Sequence, residues 1–260
     1  MSVDSATHAG KPQPTLVPSE IVAGENTLLL AGQALLSIIV VAIFIITFTV
    51  QPFRIPSASM VPTLLVGDFL LVDKQTADRD LTPLAPGKIH RGDVIVFHFP
   101  ANPSLHLVKR VVGLPGERLR MHNDQVFING KSLQEPYAVY RPSLPDSFRD
   151  NFPRLTATDP EVDAQWWMQL RHLEDHGELR IPPNNFFVLG DNRNNSEDSR
   201  YWGLVPAGTI IGKPLLVYLS LRDVDSDDRD SRADRSAGQP GVLANLRSLA
   251  RWHRALHIVR

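Results

Sequence analysis

The stretch "RIPSASMVPTLLVGD", residues 54–68, follows a long apolar run and sets two serines between two prolines. Ser57 and Ser59 flank one alanine, with Pro56 and Pro62 close on either side. Small residues just downstream of an apolar segment are typical of a place where a chain is cut. A serine hydroxyl in such a position can also be the nucleophile that cuts another chain. The stretch therefore belongs either to a cleaved segment or to a protease, and the rest of the sequence decides between them.

A charge-free apolar segment precedes this stretch over residues 27–50, "TLLLAGQALLSIIVVAIFIITFTV". A helix of that length crosses a hydrocarbon core of ~30 Å, whereas the apolar region of a secretory signal is about 7–15 residues long. We therefore expect one transmembrane helix over 27–50. The flanking charges, with Lys11 before it and Arg54 after it, lean faintly toward a cytoplasmic large domain, but long domains are translocated largely regardless of charge. Charge alone leaves the topology open.

The composition argues against several classes of protein. The chain has 260 residues and a formal net charge of −1, so no overall attraction to nucleic acid is expected. It contains no cysteine, which excludes a disulfide framework and a thiol nucleophile. His172 and His176 have a spacing that suits a metal pair on a helix, but the H-E-x-x-H motif is absent and an exposed pair is the favoured interpretation. We expect no metal and no cofactor.

Downstream of the apolar segment, the sequence predicts a mainly β domain built from antiparallel sheets. Short runs rich in Val, Ile and Phe alternate with turns that carry Gly, Pro or the pair Asn129-Gly130. One short helix is expected within residues 131–182, opened by Asp159 and Pro160. The expected organisation is a disordered tail at 1–26, the transmembrane helix at 27–50, a catalytic β core at 51–130 and 183–221, an inserted cap at 131–182, a charged linker at 222–241 and a basic amphipathic helix at 242–260.

The basic C-terminal segment has two interpretations. Its leucines fall near one face of a helix, at positions 243, 246, 249 and 256, and its arginines fall elsewhere. Such a helix can lie on a lipid surface. It can equally dock on its own domain or on a partner, and both interpretations stay open.

A serine nucleophile needs a base, and a lysine amine can supply one if it is neutral near pH 7. In "HLVKRVVG", strand alternation places Lys109 on one face with Leu107 and Val111. Burial among apolar side chains lowers the pKa of a lysine. The alternative is a strand lysine whose amine reaches water, and from these residues alone that alternative is favoured.

The loop "GDNRNNSEDSRYWG", residues 190–203, is unusually polar for a segment that directly follows the apolar residues "FFVL". Asp198 and Arg200 can form an ion pair, and Ser196 can orient a neutral lysine by a hydrogen bond. The alternative is a solvated loop that a salt bridge closes.

Taken together, these stretches resemble bacterial type I signal peptidase, a membrane-bound Ser/Lys endopeptidase. The resemblance rests on "PSASMVPTLLVGD", "GDVIVFHFP", "KRVVGLPGE" and "GDNRNNSEDSRYWG", in this order and after an apolar segment. It covers roughly residues 27–130 and 183–220. It implies a mainly β catalytic core with a variable insertion. It also makes the neutral base the favoured interpretation of Lys109, in place of a lysine whose amine reaches water.

The resemblance assigns the catalytic roles residue by residue. It implies that Ser59 is the nucleophile and Lys109 the general base. Ser57 is then expected to assist the oxyanion hole, and Ser196 to orient the lysine. Structural support is expected from Asp191, Asp198 and Arg200. Residues expected to line the pocket for small substrate side chains are Phe53, Ile55, Pro56 and Val108.

The resemblance also implies a location and partners. The catalytic domain is expected on the extracytoplasmic face of the bacterial cytoplasmic membrane, anchored by a single span, with secretory preproteins as substrates and membrane lipids as surroundings. Cleavage is expected after small residues at the first and third positions before the cut. Two rivals remain: a self-cleaving Ser/Lys repressor, which would need a DNA-binding domain where residues 27–50 lie, and a membrane-bound binding module with a degenerate site.

Overall fold

The computed structural model describes residues 20–48, 50–74, 88–141, 143–144, 146–156, 159–222 and 249–259. The expected tail at 1–19, most of the charged linker and residues 242–248 of the expected C-terminal helix lie outside the described residues. The chain divides into two compact units, Met1–Ile45 and Ile46–Arg260.

The first helix, α1, covers Glu20–Phe48 and begins earlier than the predicted span. Within the described part of the chain, no helix combines the length and the apolar character that crossing a membrane requires. The transmembrane helix predicted over 27–50 is therefore not found there. Its predicted end also differs, because Val50 pairs with Asp73 and opens the first strand.

Thirteen strands are present among the described residues, and all of their pairings are antiparallel. The strands are β1 (Val50–Arg54), β2 (Asp68–Asp73), β3 (Val94–Phe99), β4 (Asn102–Gly113), β5 (Arg118–His122), β6 (Gln125–Ile128), β7 (Lys131–Ser132), β8 (Glu174–Asp175), β9 (Glu178–Arg180), β10 (Asn185–Leu189), β11 (Val205–Pro206), β12 (Ile210–Ser220) and β13 (His257–Ile258). The prediction of a mainly antiparallel β fold is confirmed.

The first sheet has the order β1-β2-β12-β3-β4-β10-β11, and β13 also pairs with β12. Its strands are rich in β-branched and aromatic residues, which suit a pleated, packed surface. The side chains of β2 alternate between buried and half-buried, and the first four residues of β3 are all buried. This sheet carries the loop of Ser59 at one end of β2 and Lys109 on β4, so it positions both residues.

The second sheet, in the order β7-β6-β5-β9-β8, joins strands from both sides of the predicted cap boundary. The expected hairpin turn lies between β6 and β7, where Asn129 and Gly130 have φ values of 49° and 75°. Both values are in the left-handed region that an Asn-Gly turn supplies. Since β7, β8 and β9 fall within 131–182, the cap is continuous with the sheet formed by β5 and β6.

Three further helices are short: α2 (Ser147–Asp150), α3 (Ala164–Leu173) and α4 (Ser199–Trp202). The helix expected to open at Asp159 begins later, because the Asp163 carboxylate accepts the Trp166 N–H and caps α3. His176 lies beyond the end of α3 with φ 55°, so it shares no helix with His172. The two histidines therefore do not lie on one face of a helix, as their spacing in the sequence suggested.

The C-terminal residues differ from the expected amphipathic helix. Within 249–259 the structure has a 3₁₀ turn at Trp252–Arg254 followed by β13. Ala250 bridges to Leu221 and β13 pairs with β12, so the segment runs beside β12. Backbone pairing with the sheet replaces the hydrogen bonds that a helix would have made.

Candidate active site

Ser59 lies in the loop that joins β1 to β2, and the loop after β10 holds its backbone. The Asn192 N–H donates to the carbonyl of Ser59 at 3.1 Å, and the Asn192 amide donates to the carbonyl of Ala58 at 3.1 Å. Ser59 is 9% exposed. These hydrogen bonds hold the backbone of Ser59, while the residue still lines a solvent-accessible cavity.

Lys109 meets this hydroxyl from β4, where it lies opposite Ile95. Its Nζ is 2.6 Å from Ser59 Oγ, and only 4% of the residue is exposed. Burial lowers the pKa of Lys109 from 10.5 to about 8, although the Asp198 carboxylate acts in the opposite direction. A fraction of this amine is therefore neutral near pH 7, as a general base requires.

Asp198 and Arg200 form a fully buried ion pair beside the lysine. Arg200 donates to both carboxylate oxygens of Asp198 at 2.8 Å, and the Gly190 N–H donates to the same carboxylate at 3.1 Å. Burial would raise the pKa of Asp198, but Arg200 outweighs it and holds the carboxyl below its ordinary value. The carboxylate therefore stays ionised and anchors the loop after β10.

Asp191 forms a second buried pair, with Arg110 as its partner. The guanidinium contacts the two carboxylate oxygens at 2.8 and 2.7 Å, and the Thr63 hydroxyl donates to one of them at 2.5 Å. The Tyr137 ring lies 4.0 Å from the Arg110 guanidinium carbon. The sequence reasoning missed Thr63, Arg110 and Asn192, although all three stand inside the quoted motifs.

The two remaining predicted serines differ in their contacts. Ser57 Oγ lies 3.3 Å from Ser59 Oγ, at the mouth of the site. Ser196 is buried beside the dyad, but among the described residues its hydroxyl has no hydrogen-bond partner. The hydrogen bond predicted from Ser196 to Lys109 is thus not present in this arrangement, and the hydroxyl oxygen is left unpaired in the buried site.

All the site residues described above lie in the part of the chain that matches one protein family. Residues 28–219 match the family described as "Signal peptidase, peptidase S26". The chain belongs to this family. It is a serine endopeptidase, and the resemblance to bacterial type I signal peptidase is confirmed.

Two sequence relatives agree with this assignment, and one solved structure is also similar. A signal peptidase I from Pseudomonas fluorescens is 36% identical over 224 residues, which cover 80% of this chain and 78% of the relative. A signal peptidase I from Bacillus caldolyticus is 40% identical over 169 residues, which cover 64% and 78% of the two chains. A crystal structure of a signal peptidase I from Enterococcus faecalis V583 is similar with a TM-score of 0.36 and 34% identity, covering 49% of this chain and 97% of that chain.

In the peptidase, a cavity of about 240 Å³ opens beside the dyad. Its lining includes all four residues predicted to bind substrate, which are Phe53, Ile55, Pro56 and Val108, together with Ser59 and Lys109. Its walls are mostly apolar. A wider cavity of about 1080 Å³ reaches the same dyad and includes Ser196 in its lining.

Residues 135–140 of the predicted cap also contact the loop after β10. The Val139 N–H donates to the Asp191 carbonyl at 2.7 Å, and the Arg193 N–H donates to the Val139 carbonyl at 3.0 Å. The Arg193 guanidinium pairs with Glu135 at 2.5 Å and with the Tyr140 hydroxyl at 2.9 Å.

Within the described residues, no cluster of three or more His, Cys, Asp or Glu side chains could hold a metal ion.

Proposed function

We propose that the chain removes N-terminal signal peptides from exported preproteins by a Ser59/Lys109 acyl-enzyme mechanism. The observation that carries the proposal is the 2.6 Å contact between Lys109 Nζ and Ser59 Oγ, made by an amine whose pKa burial lowers to about 8. A neutral amine at this distance can accept the hydroxyl proton as the oxygen attacks. Family membership supports the same substrate class, because the relatives carry the name signal peptidase I.

In acylation, Ser59 Oγ forms a bond to the scissile carbonyl carbon while Lys109 takes the hydroxyl proton. The resulting ammonium returns that proton to the leaving amine as the peptide bond breaks. The oxyanion is held by the Ser57 hydroxyl, which lies 3.3 Å from Ser59 Oγ, and by the Ser59 backbone N–H. Lys109, neutral again, deprotonates a water that attacks the ester, and the ammonium returns this proton to Ser59 Oγ as the acyl–oxygen bond breaks.

Ser196 contributes by keeping a hydroxyl inside the buried site. Its oxygen is unpaired in this arrangement and is therefore available to accept a hydrogen bond from Lys109 Nζ when substrate excludes water. Asp198, Arg200 and Asp191 support the site through the buried pairs already described.

Specificity follows from the smaller cavity. A pocket lined by Phe53, Ile55 and Val108 offers apolar walls to the side chains that precede the cut, and the resemblance to type I signal peptidase implies that these side chains are small. Substrates with small residues at the first and third positions before the cut are therefore preferred. Residues 27–50, which carry no charge, are proposed to hold the enzyme as a single span at the cytoplasmic membrane with the catalytic domain outside.

The test is cleavage of a preprotein in detergent by the Ser59→Ala and Lys109→Ala variants. Each is expected to lower turnover by about 10³-fold or more, because the nucleophile and its base act as a unit. A Lys109→Arg variant should be equally inactive, since a guanidinium is not deprotonated near neutral pH. Turnover close to that of the wild type in any of the three variants would disprove the dyad.

A further inference from the structure

The C-terminal segment 249–259 lies beyond residues 28–219, which match the family, and it reaches the loop that carries Ser59. The Arg251 N–H donates to the Ser220 carbonyl at 2.8 Å, and β13 pairs with β12. Val259 packs against the smaller apolar cluster of the core, to which Ile55 and Met60 of the Ser59 loop belong. The segment is therefore an ordered part of the first sheet.

The contact is centred on Asp68, the fully buried residue at which the Ser59 loop ends and β2 begins. The Arg254 guanidinium donates to the two oxygens of this carboxylate at 3.2 and 2.6 Å. The Leu65 N–H and the Ser220 hydroxyl also donate to it at 2.9 and 2.6 Å, and Arg251 Nη1 lies 3.8 Å from the same carboxylate. A buried carboxylate needs such partners because removal from water is costly for an unpaired charge.

The same guanidinium also holds the loop itself. Arg254 donates to the Thr63 carbonyl at 2.9 Å, and Arg251 donates to the Val66 carbonyl at 3.1 Å. On its other side, Thr63 is tied through its hydroxyl to Asp191 and so to Arg110, the neighbour of Lys109. Thr63 thus links the C-terminal segment to the buried ion pair of Asp191 and Arg110.

The held residues determine where the nucleophile stands. The Leu64 N–H donates to the Met60 carbonyl at 2.9 Å, so a single helical turn joins the clamped residues to the residue after Ser59. A displacement of this turn would carry the Ser59 hydroxyl with it. Reactivity falls steeply when reacting groups are misplaced by as little as 1 Å.

We infer that Arg254 is a positioning residue for Ser59, which it holds in reach of Lys109 by clamping the Thr63 carbonyl and the Asp68 carboxylate. The inference rests on the proposed role of Ser59 as the nucleophile. It gives a catalytic purpose to a segment that lies outside the family match.

The experiment uses the full chain in detergent and a peptide-mimic acylating probe that labels the nucleophilic serine. It separates the labelling rate at saturating probe from the probe concentration that gives half of that rate. In Arg254→Gln, we expect the saturated rate to fall about tenfold while the half-saturating concentration changes less than about twofold, because the groove stays intact and only the reacting atoms shift.

Two companion variants sharpen the result. Arg254→Lys should recover part of the rate, since an ammonium keeps the charge beside Asp68 but cannot form the two-pronged contact. Arg171→Gln, which removes an exposed arginine from α3, should label at the rate of the wild type. Circular dichroism at the assay temperature measures the folded fraction of each variant.

An unchanged saturated rate in Arg254→Gln would overturn the inference. So would a loss that the folded fraction fully accounts for, or a loss that lies wholly in the half-saturating concentration. Ser59→Ala separates the two proposals: labelling that persists in this variant refutes the nucleophile itself. If Ser59→Ala is silent and Arg254→Gln labels normally, only the clamp is refuted.

Discussion

Lys109 is a buried amine that lies 2.6 Å from the Ser59 hydroxyl, and its burial decides its protonation. Burial lowers its pKa to about 8, and the Asp198 carboxylate limits the decrease. Both residues are nearly or fully buried, so solvent screens their interaction little. The pKa of Lys109 is therefore set by the burial of its amine in the fold and departs from the ordinary value of a lysine.

The pH dependence of activity follows from this pKa. Only the neutral amine accepts the Ser59 proton, so kcat/KM should rise about tenfold per pH unit below the pKa and level off above about pH 8. The measurement is the rate on a peptide with no group that titrates between pH 6 and 10. A plateau that begins near pH 6, or a rise that continues to pH 10, would contradict the assigned base.

At the scale of elements, the end of β10 passes so close to the Ser59 loop that only glycine fits at position 190. A Cβ built on Gly190 would lie 2.5 Å from the Ser59 carbonyl oxygen and closer still to Ser196 Oγ. Real Cβ atoms do not approach other atoms so closely, and the loop is held on that side by Asn192. The two loops therefore cannot separate without moving the nucleophile.

Gly190→Ala is accordingly expected to lower preprotein cleavage by about 10²-fold or more and to destabilise the fold by about 1–3 kcal/mol, the cost typical of overpacking. Gly208→Ala is the matched control, since a Cβ there meets nothing within 4 Å. Cleavage rates and thermal midpoints of the two variants provide the comparison. An active Gly190→Ala enzyme would show that the two loops move apart freely.

At the scale of the whole molecule, both sheets lie within the unit Ile46–Arg260, and α1 begins in the other unit. We therefore expect the catalytic chemistry not to depend on the unit Met1–Ile45. What those residues can supply is proximity, because a tethered enzyme meets a membrane-bound substrate at a raised effective concentration.

A chain that begins at Ile46 should thus cleave a short soluble peptide within about threefold of the full chain, but a preprotein in lipid vesicles at least about tenfold more slowly. Cleavage of the same preprotein in detergent is the control, where the difference should shrink. Equal rates in vesicles would show that residues before Ile46 do not bring the enzyme to its substrate.

Local chemistry allowed several features to be predicted from the sequence. The Asn129-Gly130 turn, the apolar strands and the ordered motifs depend on residue type and spacing, and the structure has that turn and antiparallel strands within the predicted β core. The partners of Arg110 and Asn192 could not be predicted in the same way, since each reaches a residue far along the chain. Strand alternation would have placed Arg110 away from Lys109, yet both are buried because β4 is covered on both faces.

For residues 54–68, the sequence and the tertiary structure determine different properties. The sequence by itself determined the family and the β class, and the resemblance assigned the roles expected of Ser59 and Lys109, since all of these rest on short motifs in a fixed order. Only the tertiary structure decided that Gly190, Asn192 and Arg254 confine the Ser59 loop and that residues 249–259 form a strap along the sheet. The reason is physical: a motif specifies which groups are present, whereas the distance between two groups from remote segments is set by how the sheets pack.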